Sequence, residues 1–149
     1  MASSRTDDTG HRYGWGSPQQ RAAFADVGAV LEKVIKAVET AGILPDSVII
    51  VTADHGGHKK THGSKLPGDM NIPWVVWGKG VKQNYEILSP VTTYDTAATA
   101  LWLPGVPRPD SFDGRPVTSA FNELDTTATA QNCTPALGRH ASIVGVDCA

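Results

Sequence analysis

Residues 47–52 constrain the fold of this chain more than any other part of the sequence. These six residues, SVIIVT, are mostly apolar and β-branched, and they do not alternate between apolar and polar types. Such a run is typical of a strand buried on both faces, and strands of this kind belong to parallel sheets between helices. Residues 72–77, IPWVVW, predict a second buried strand. We therefore predict an α/β fold with a mostly parallel sheet and flanking helices.

A long helix is predicted before the first strand. Ser17 and Pro18 fit the N-cap and the first helical position. Apolar residues then recur at spacings of three and four from Phe24 to Val38, which predicts an amphipathic helix of roughly 23 residues. Gly42 follows where a left-handed C-cap is expected.

The other segments are assigned from cap residues, turn residues and composition. A second helix is predicted to begin at Thr92, with Asp95 as an acidic partner near its cap, and to end by Pro104. Residues 1–16 are polar and glycine-rich, which predicts a loop. Residues 122–149 are rich in Thr and Ala and lack periodicity, so we expect a loosely ordered tail.

The composition argues against several classes of protein. A chain of 149 residues with 40% hydrophobic and 19% charged residues fits one soluble globular domain. The net charge of −2 offers no basic surface for nucleic acid. The sequence lacks the run of about 18 apolar residues that a membrane span needs. Its first residues also lack the apolar core of a signal peptide.

The compartment stays undecided at this stage. Cys133 and Cys148 fit a disulfide and two free thiols equally well. Asn132 begins a glycosylation sequon, a weak signal that is compatible with secretion.

Five residues with metal-ligand chemistry lie in two short segments. Asp54 and His55 follow the first predicted strand, and His62 lies seven residues after His55. Asp7 and His11, four residues apart, precede the predicted long helix. Asp and His are ligands suited to zinc and similar divalent ions, and sites in open α/β sheets gather at the carboxyl ends of strands. Two such ions can hold both the attacking and the leaving oxygen of an in-line displacement.

Each segment also has a simpler interpretation. The pair Asp54 and His55 could cap a loop, and the segment from Asp7 to His11 could be a plain turn. If the strand continues, Asp54 and His55 point in nearly opposite directions and serve two ions, whereas a bend would let them share one. We expect His58 to be a solvated loop residue and His140 to be uninvolved in the site.

With these residues laid out, the chain is similar to the alkaline phosphatase superfamily, and within it to the type I phosphodiesterase/nucleotide pyrophosphatase group. The resemblance extends from about residue 7 to residue 121. It is carried by five motifs: Asp7-x-x-Gly-His11-x-x-Gly-Trp-Gly-Ser, Thr-Ala-Asp54-His55-Gly-Gly-x4-His62-Gly, Asn-Ile-Pro-Trp with Trp-Gly-Lys-Gly-Val, Tyr94-Asp95-Thr-Ala-Ala-Thr, and Gly114-Arg115-Pro116-Val.

The resemblance implies a partial three-layer α/β sandwich, with residues 1–121 as the C-terminal half of the family domain. It also implies two zinc ions and a small-molecule phosphate ester as substrate. Three residues, Asp7, His11 and His62, would hold the first zinc ion. Asp54 and His55 would contribute to the second, which is therefore only partial here.

The chain departs from the family pattern at its start. The family's Thr or Ser nucleophile and one aspartate of the second zinc site belong to an N-terminal half that we expect to be missing. We therefore assign no catalytic residue, and whether the chain is an enzyme stays open. It is expected to be a fragment or truncated product, a half completed by a second chain, or a decayed remnant. The functional alternatives are a sulfatase or phosphotransferase of the same superfamily and a non-catalytic remnant that keeps part of the fold.

Overall fold

The computed structural model of the chain describes residues 4–122. Its α-helices are α1 (Ser4–Tyr13), α2 (Pro18–Thr40), α3 (Pro67–Met70) and α4 (Asp95–Trp102), and its strands are β1 (Val48–Thr52) and β2 (Trp74–Gly78). Short 3-10 turns lie at Leu44–Asp46 and Thr118–Ala120. The predicted tail falls almost entirely outside the described residues, as do Asn132, Cys133, His140 and Cys148.

The prediction of the long helix is confirmed. The Ser17 hydroxyl accepts a hydrogen bond from the Gln20 N–H at 3.2 Å, and Pro18 is the first residue of α2. The helix spans 23 residues, and Gly42 after its end has a φ of +74°. That conformation favours glycine and ends the helix.

The second predicted helix is confirmed, although it begins later than expected. Asp95 Oδ2 accepts a hydrogen bond from the Thr92 N–H at 2.7 Å, so the acidic partner lies where it was predicted. Helix α4 itself begins at Asp95 rather than Thr92 and ends at Trp102, before Pro104. Although partial burial opposes it, the N–H groups of Arg115 and Thr92 hold the pKa of Asp95 below its usual value.

The predicted loop over residues 1–16 is wrong, because Ser4–Tyr13 is helix α1. The segment has almost no apolar periodicity, so tertiary contacts rather than propensity explain it. Gly10 lies in this helix against the indole of Trp15, and a Cβ at residue 10 would approach that ring to 2.9 Å. The Gln20 side chain contacts the Gly16 N–H and the Thr6 carbonyl, which joins α1 to α2.

The two predicted strands are present, but the mostly parallel sheet is wrong for this pair. Strands β1 and β2 pair antiparallel, with Val48 opposite Gly78 and Thr52 opposite Trp74. An apolar run indicates that both faces of a strand are expected to be covered. It does not indicate whether a neighbouring strand runs parallel or antiparallel to it. Parallel pairing needs a crossover, usually a long helix, whereas residues 53–73 contain only the four-residue α3. The described residues therefore show mixed helices and a two-stranded antiparallel sheet, and a three-layer sandwich is not confirmed.

A small apolar core lies against the sheet. Val117, Ala120 and Phe121 are buried, and Trp74 and Val76 of β2 pack against them with other half-buried side chains. The alternate residues of β2 remain open, with Val75 56% and Trp77 52% exposed. Burial of this strand on both faces is therefore not observed. Among residues 4–122, no helix has both the length and the apolar character that crossing a bilayer requires.

Candidate metal centre

The five predicted metal ligands converge at one site. Helix α1 places Asp7 and His11 one turn apart on the same face. The segment that follows β1, here called the ligand loop (residues 55–64), carries His55 and His62 to that face. Ligand atoms of Asp7, His11 and His62 all lie within 4.8 Å of one another.

Asp7 Oδ1 lies at the centre of the site. It is buried and has no hydrogen-bond partner. His11 Nε2 lies 3.6 Å from it and His55 Nε2 lies 3.9 Å from it. Buried carboxylate oxygens are normally hydrogen-bonded, so an unpaired one facing two imidazole nitrogens suits a bound cation.

Backbone carbonyls orient the imidazoles. His11 Nδ1 lies 3.0 Å from the Lys60 carbonyl, and His55 Nδ1 lies 2.8 Å from the carbonyl of Gly56. Because a carbonyl only accepts, each Nδ1 must carry the proton. In the neutral ring, this leaves Nε2 as the nitrogen that faces Asp7 and can bind a metal, which is the arrangement that metal-binding histidines use.

The side chain of Asp54 is 90% accessible, more than those of Asp7, His11 and His55. Its Oδ2 lies 3.7 Å from His55 Nε2, and its Oδ1 accepts the His55 N–H at 3.1 Å. Strand β1 ends at Thr52, so the chain bends and the two side chains converge. His55 thus lies between Asp7 and Asp54, with its Nε2 3.9 Å from the carboxylate of Asp7 and 3.7 Å from that of Asp54.

Aromatic rings enclose the imidazoles on one side. His62 stacks on His55 with ring centroids 3.8 Å apart, and Trp15 meets His11 edge-on at 4.9 Å. The same indole lies against Gly57, where a Cβ would come within 2.1 Å of it. The Gly56-Gly57 pair after His55 marks a place where another group can approach the backbone closely. The sequence did not show that this group is Trp15, which was not predicted as a site residue.

The prediction that His58 is simply solvated is wrong. Its Nδ1 lies 2.7 Å from Asp69 Oδ1, and Asp69 is 4% exposed. The hydroxyl of Ser64 binds Asp69 Oδ2 at 2.6 Å. Despite burial, this hydroxyl first and then His58 lower the pKa of Asp69 to about 2. Asp69 had no motif to mark it in the sequence.

The residues present fit a divalent metal ion such as zinc. The site combines one unpaired carboxylate oxygen with imidazole nitrogens, which is a donor set typical of zinc. The carbonyls that face each Nδ1 and the neighbouring rings orient the imidazoles around the site. His11 and Asp54 are exposed, so the site is open to solvent.

Part of the chain is similar in sequence to a family of phosphodiesterases and to several sulfatases. Residues 1–66 match the profile of the type I phosphodiesterase / nucleotide pyrophosphatase family. The chain is 32% identical to arylsulfatase K of Danio rerio over 98 residues, which is 62% of this chain and 19% of the relative. It is 27% identical to arylsulfatase K of Bos taurus over 108 residues, which is 69% of this chain and 20% of the relative. The Extracellular sulfatase SULF-1 homolog of Drosophila melanogaster is 30% identical over 97 residues, or 61% of this chain and 9% of the relative.

These matches confirm the similarity to the alkaline phosphatase superfamily, whose members hydrolyse phosphate and sulfate esters. The chain spans about a fifth of the length of the arylsulfatase K relatives that it matches. No solved structure matches the chain significantly.

Proposed function

We propose that this chain supplies metal-binding residues for the hydrolysis of phosphate esters, as in phosphodiesterases and phosphatases, with zinc as the metal. The observation that carries the proposal is that ligand atoms of Asp7, His11 and His62 lie within 4.8 Å of one another, with Asp7 Oδ1 buried and unpaired. The family profile over residues 1–66 covers all five proposed ligands, Asp7, His11, Asp54, His55 and His62. The proposed ligands thus lie inside the region that matches the family.

The proposed ligands fall into two sets. Asp7, His11 and His62 hold the first ion, since their ligand atoms form a compact group. Asp54 and His55 contribute to a second ion, which requires a further ligand from outside this group. When bound, the metal would polarise the ester oxygen and stabilise negative charge as the bond breaks.

The protein's own groups would bind the metal ion and orient its ligands. The Nδ1 protons of His11 and His55 are held on carbonyls, so both rings keep Nε2 directed at the site. The carboxylate of Asp54 is largely accessible. We propose that an ester would approach the centre from this open side.

Hydroxyl groups near the site in sequence are already engaged. Thr52 Oγ1 donates to the Pro73 carbonyl at 2.9 Å, and Ser64 Oγ donates to Asp69 at 2.6 Å. Neither hydroxyl is arranged as a nucleophile. This supports the proposal that residues 1–121 are the C-terminal half of a catalytic domain. The nucleophile would then come from the other half, in the same polypeptide or in a second chain.

Sulfate esters are the second candidate substrates. The relatives described above are named as sulfatases, and the family's two reactions share a metal-ligand set. We propose them as the alternative because the two reactions would differ in the nucleophile, and this group is not identified among the residues described here. An extracellular location agrees with the name of the Drosophila melanogaster relative and with the sequon at Asn132.

Zinc titration of the purified chain tests the metal centre. We expect saturable binding, and we expect His62→Ala to weaken it by more than about 100-fold, because losing even an outer partner of a metal ligand costs about 10–100-fold. His140→Ala is the control, since this histidine lies outside both motifs. Equal zinc affinity in His62→Ala and the wild-type chain would contradict the proposal.

Ester hydrolysis tests the expected lack of a nucleophile in the same preparation. With zinc bound, we expect little or no turnover of para-nitrophenyl phosphate, bis(para-nitrophenyl) phosphate or para-nitrophenyl sulfate. Robust turnover of either phosphate ester would show that the chain carries its own nucleophile. Robust turnover of the sulfate alone would favour the sulfatase alternative.

A further inference from the structure

The ligand loop has little regular secondary structure, although it carries two of the proposed metal ligands. Between His55 and His62 it makes only a tight turn, in which the backbones of His58 and Thr61 exchange hydrogen bonds of 2.9 and 3.0 Å. Lys59 in this turn has a φ of +49°. Such a loop needs contacts from outside if His55 and His62 are to be held at a fixed separation.

Asp69 makes these contacts on one side of the loop. Its Oδ1 lies 2.7 Å from His58 Nδ1, and its Oδ2 accepts from the N–H and the hydroxyl of Ser64 at 2.8 and 2.6 Å. His58 follows His55 by three residues, and Ser64 follows His62 by two. One carboxylate therefore binds the loop close to both ligands.

The backbone around Asp69 reinforces this attachment. The Gly56 N–H donates to the Asp69 carbonyl at 2.8 Å, and the Gly57 N–H donates to the carbonyl of Gly68 at 2.7 Å. A Cβ at Gly56 would come within 2.1 Å of the Gly68 carbonyl oxygen, so the two segments touch. The loop thus packs directly on the short helix α3.

A buried carboxylate is destabilising unless it is well hydrogen-bonded. Asp69 is 4% exposed and its pKa is lowered to about 2, so it is ionised at neutral pH. Its charge is directed entirely at groups of the ligand loop. A residue needed only to fill space would not require this charge.

We propose that Asp69 is a positioning residue that presets His55 and His62 for metal binding by holding the ligand loop through His58 and Ser64. The inference rests on the proposed metal centre and adds to it a residue that does not touch the metal. Asp69 acts before binding, because it reduces the ordering that the loop must undergo when the ion arrives.

The test compares metal affinity in the wild-type chain and in Asp69→Asn, with Co²⁺ and Zn²⁺ as probes. The amide has the shape of the carboxylate but lacks its charge, and it cannot accept from both sides. We expect Asp69→Asn to bind either ion about 10–100-fold more weakly, and its Co²⁺ complex to show a changed visible absorption band. Asp46→Asn is the matched control, because that exposed carboxylate pairs with Lys79 away from the ligand loop.

Thermal unfolding of the metal-free proteins separates positioning from simple structural support. A lower melting temperature in Asp69→Asn with unchanged affinity and an unchanged Co²⁺ spectrum would overturn the inference. If Asp69→Asn does not fold, Ser64→Ala provides the test, because it removes one donor and keeps His58 paired. We expect it to lose several-fold in affinity, and unchanged affinity would again overturn the inference. Failure of the wild-type chain to bind either ion would instead refute the metal centre itself, and the inference with it.

Discussion

The two ends of β1 are stabilised in different ways. After Thr52 the chain enters the candidate metal centre, where carbonyls, a buried carboxylate and stacked rings hold the imidazoles in place. At Val48 the strand packs against the core of Val117, Ala120 and Phe121, which is held by apolar contact. The comparison suggests that the geometry of the site depends on a few directional bonds, whereas the stability of the sheet depends on the volume buried beside it.

Phe121→Ala is the change expected to have the largest effect on stability. It acts at the Val48 end of β1, beside the apolar core. Phe121 is 3% exposed and meets Trp102 edge-on at 5.2 Å. Removing a buried ring of this kind lowers the free energy of unfolding by about 3–5 kcal/mol. Urea unfolding measures the loss.

If Phe121→Ala does not fold, Phe121→Leu provides the same test. Because leucine keeps part of the buried volume, we expect it to lower the free energy of unfolding by about 1–2 kcal/mol. We expect zinc affinity of the folded protein to stay close to that of the wild-type chain. A parallel loss of zinc affinity in Phe121→Leu would show that the two ends of β1 are not independent.

Gly57→Ala is expected to have an intermediate effect on stability. It acts beyond the Thr52 end of β1, in the candidate metal centre. The added Cβ would lie 2.1 Å from the indole of Trp15, so the ligand loop or the ring must move. We expect a loss of about 1–3 kcal/mol in stability from overpacking, together with weaker zinc binding. Calorimetric titration and urea unfolding measure the two effects.

Gly28→Ala is the matched control, because a Cβ at this position in α2 meets no atom within 4 Å. Alanine is the better helix former, so this change should stabilise the protein by up to about 1 kcal/mol. Zinc affinity equal to that of the wild-type chain in Gly57→Ala would mean that contact with Trp15 does not shape the centre.

The smallest effect is expected from acid, and it again separates the two ends of β1. The pKa of Asp69 is about 2 in the folded protein and about 3.9 in an unfolded chain. Its charge therefore stabilises the fold fully above about pH 4, and this contribution is lost as the pH falls toward 2. His58 is the titratable group that faces it.

Urea unfolding of the wild-type chain and Asp69→Asn between pH 6 and pH 2 measures this dependence. The difference in unfolding free energy should be constant above about pH 4 and should shrink below it. The corresponding difference for Phe121→Leu should not change with pH in this way. A stability gap for Asp69→Asn that does not narrow in acid would contradict the assignment of an ionised Asp69.

Local signals predicted the elements that local physics determines. Helix α2 follows from Ser17, Pro18 and its apolar spacing, because caps and periodicity act within a few residues. The metal-ligand motifs marked Asp7 and His55, because metal chemistry restricts which residue types can serve.

Features set by distant contacts were not predictable in the same way. Helix α1 forms around a glycine that packs on Trp15, and nothing in its own composition indicates this. The direction of β2 depends on the path of residues 53–73, which hydrophobicity does not encode. Asp69 is an acidic residue in a polar segment until the fold buries it beside His58.

The position of Asp7 and His11 on one turn of α1 has a consequence for how the chain folds. An ion that joins this turn to His62 would link two segments far apart in sequence, as a disulfide does, and would restrict the unfolded chain. Helix α1 has little apolar surface of its own, so the ion would contribute much of what holds it in place. Folding of the N-terminal helix and occupancy of the metal centre would then be a single equilibrium.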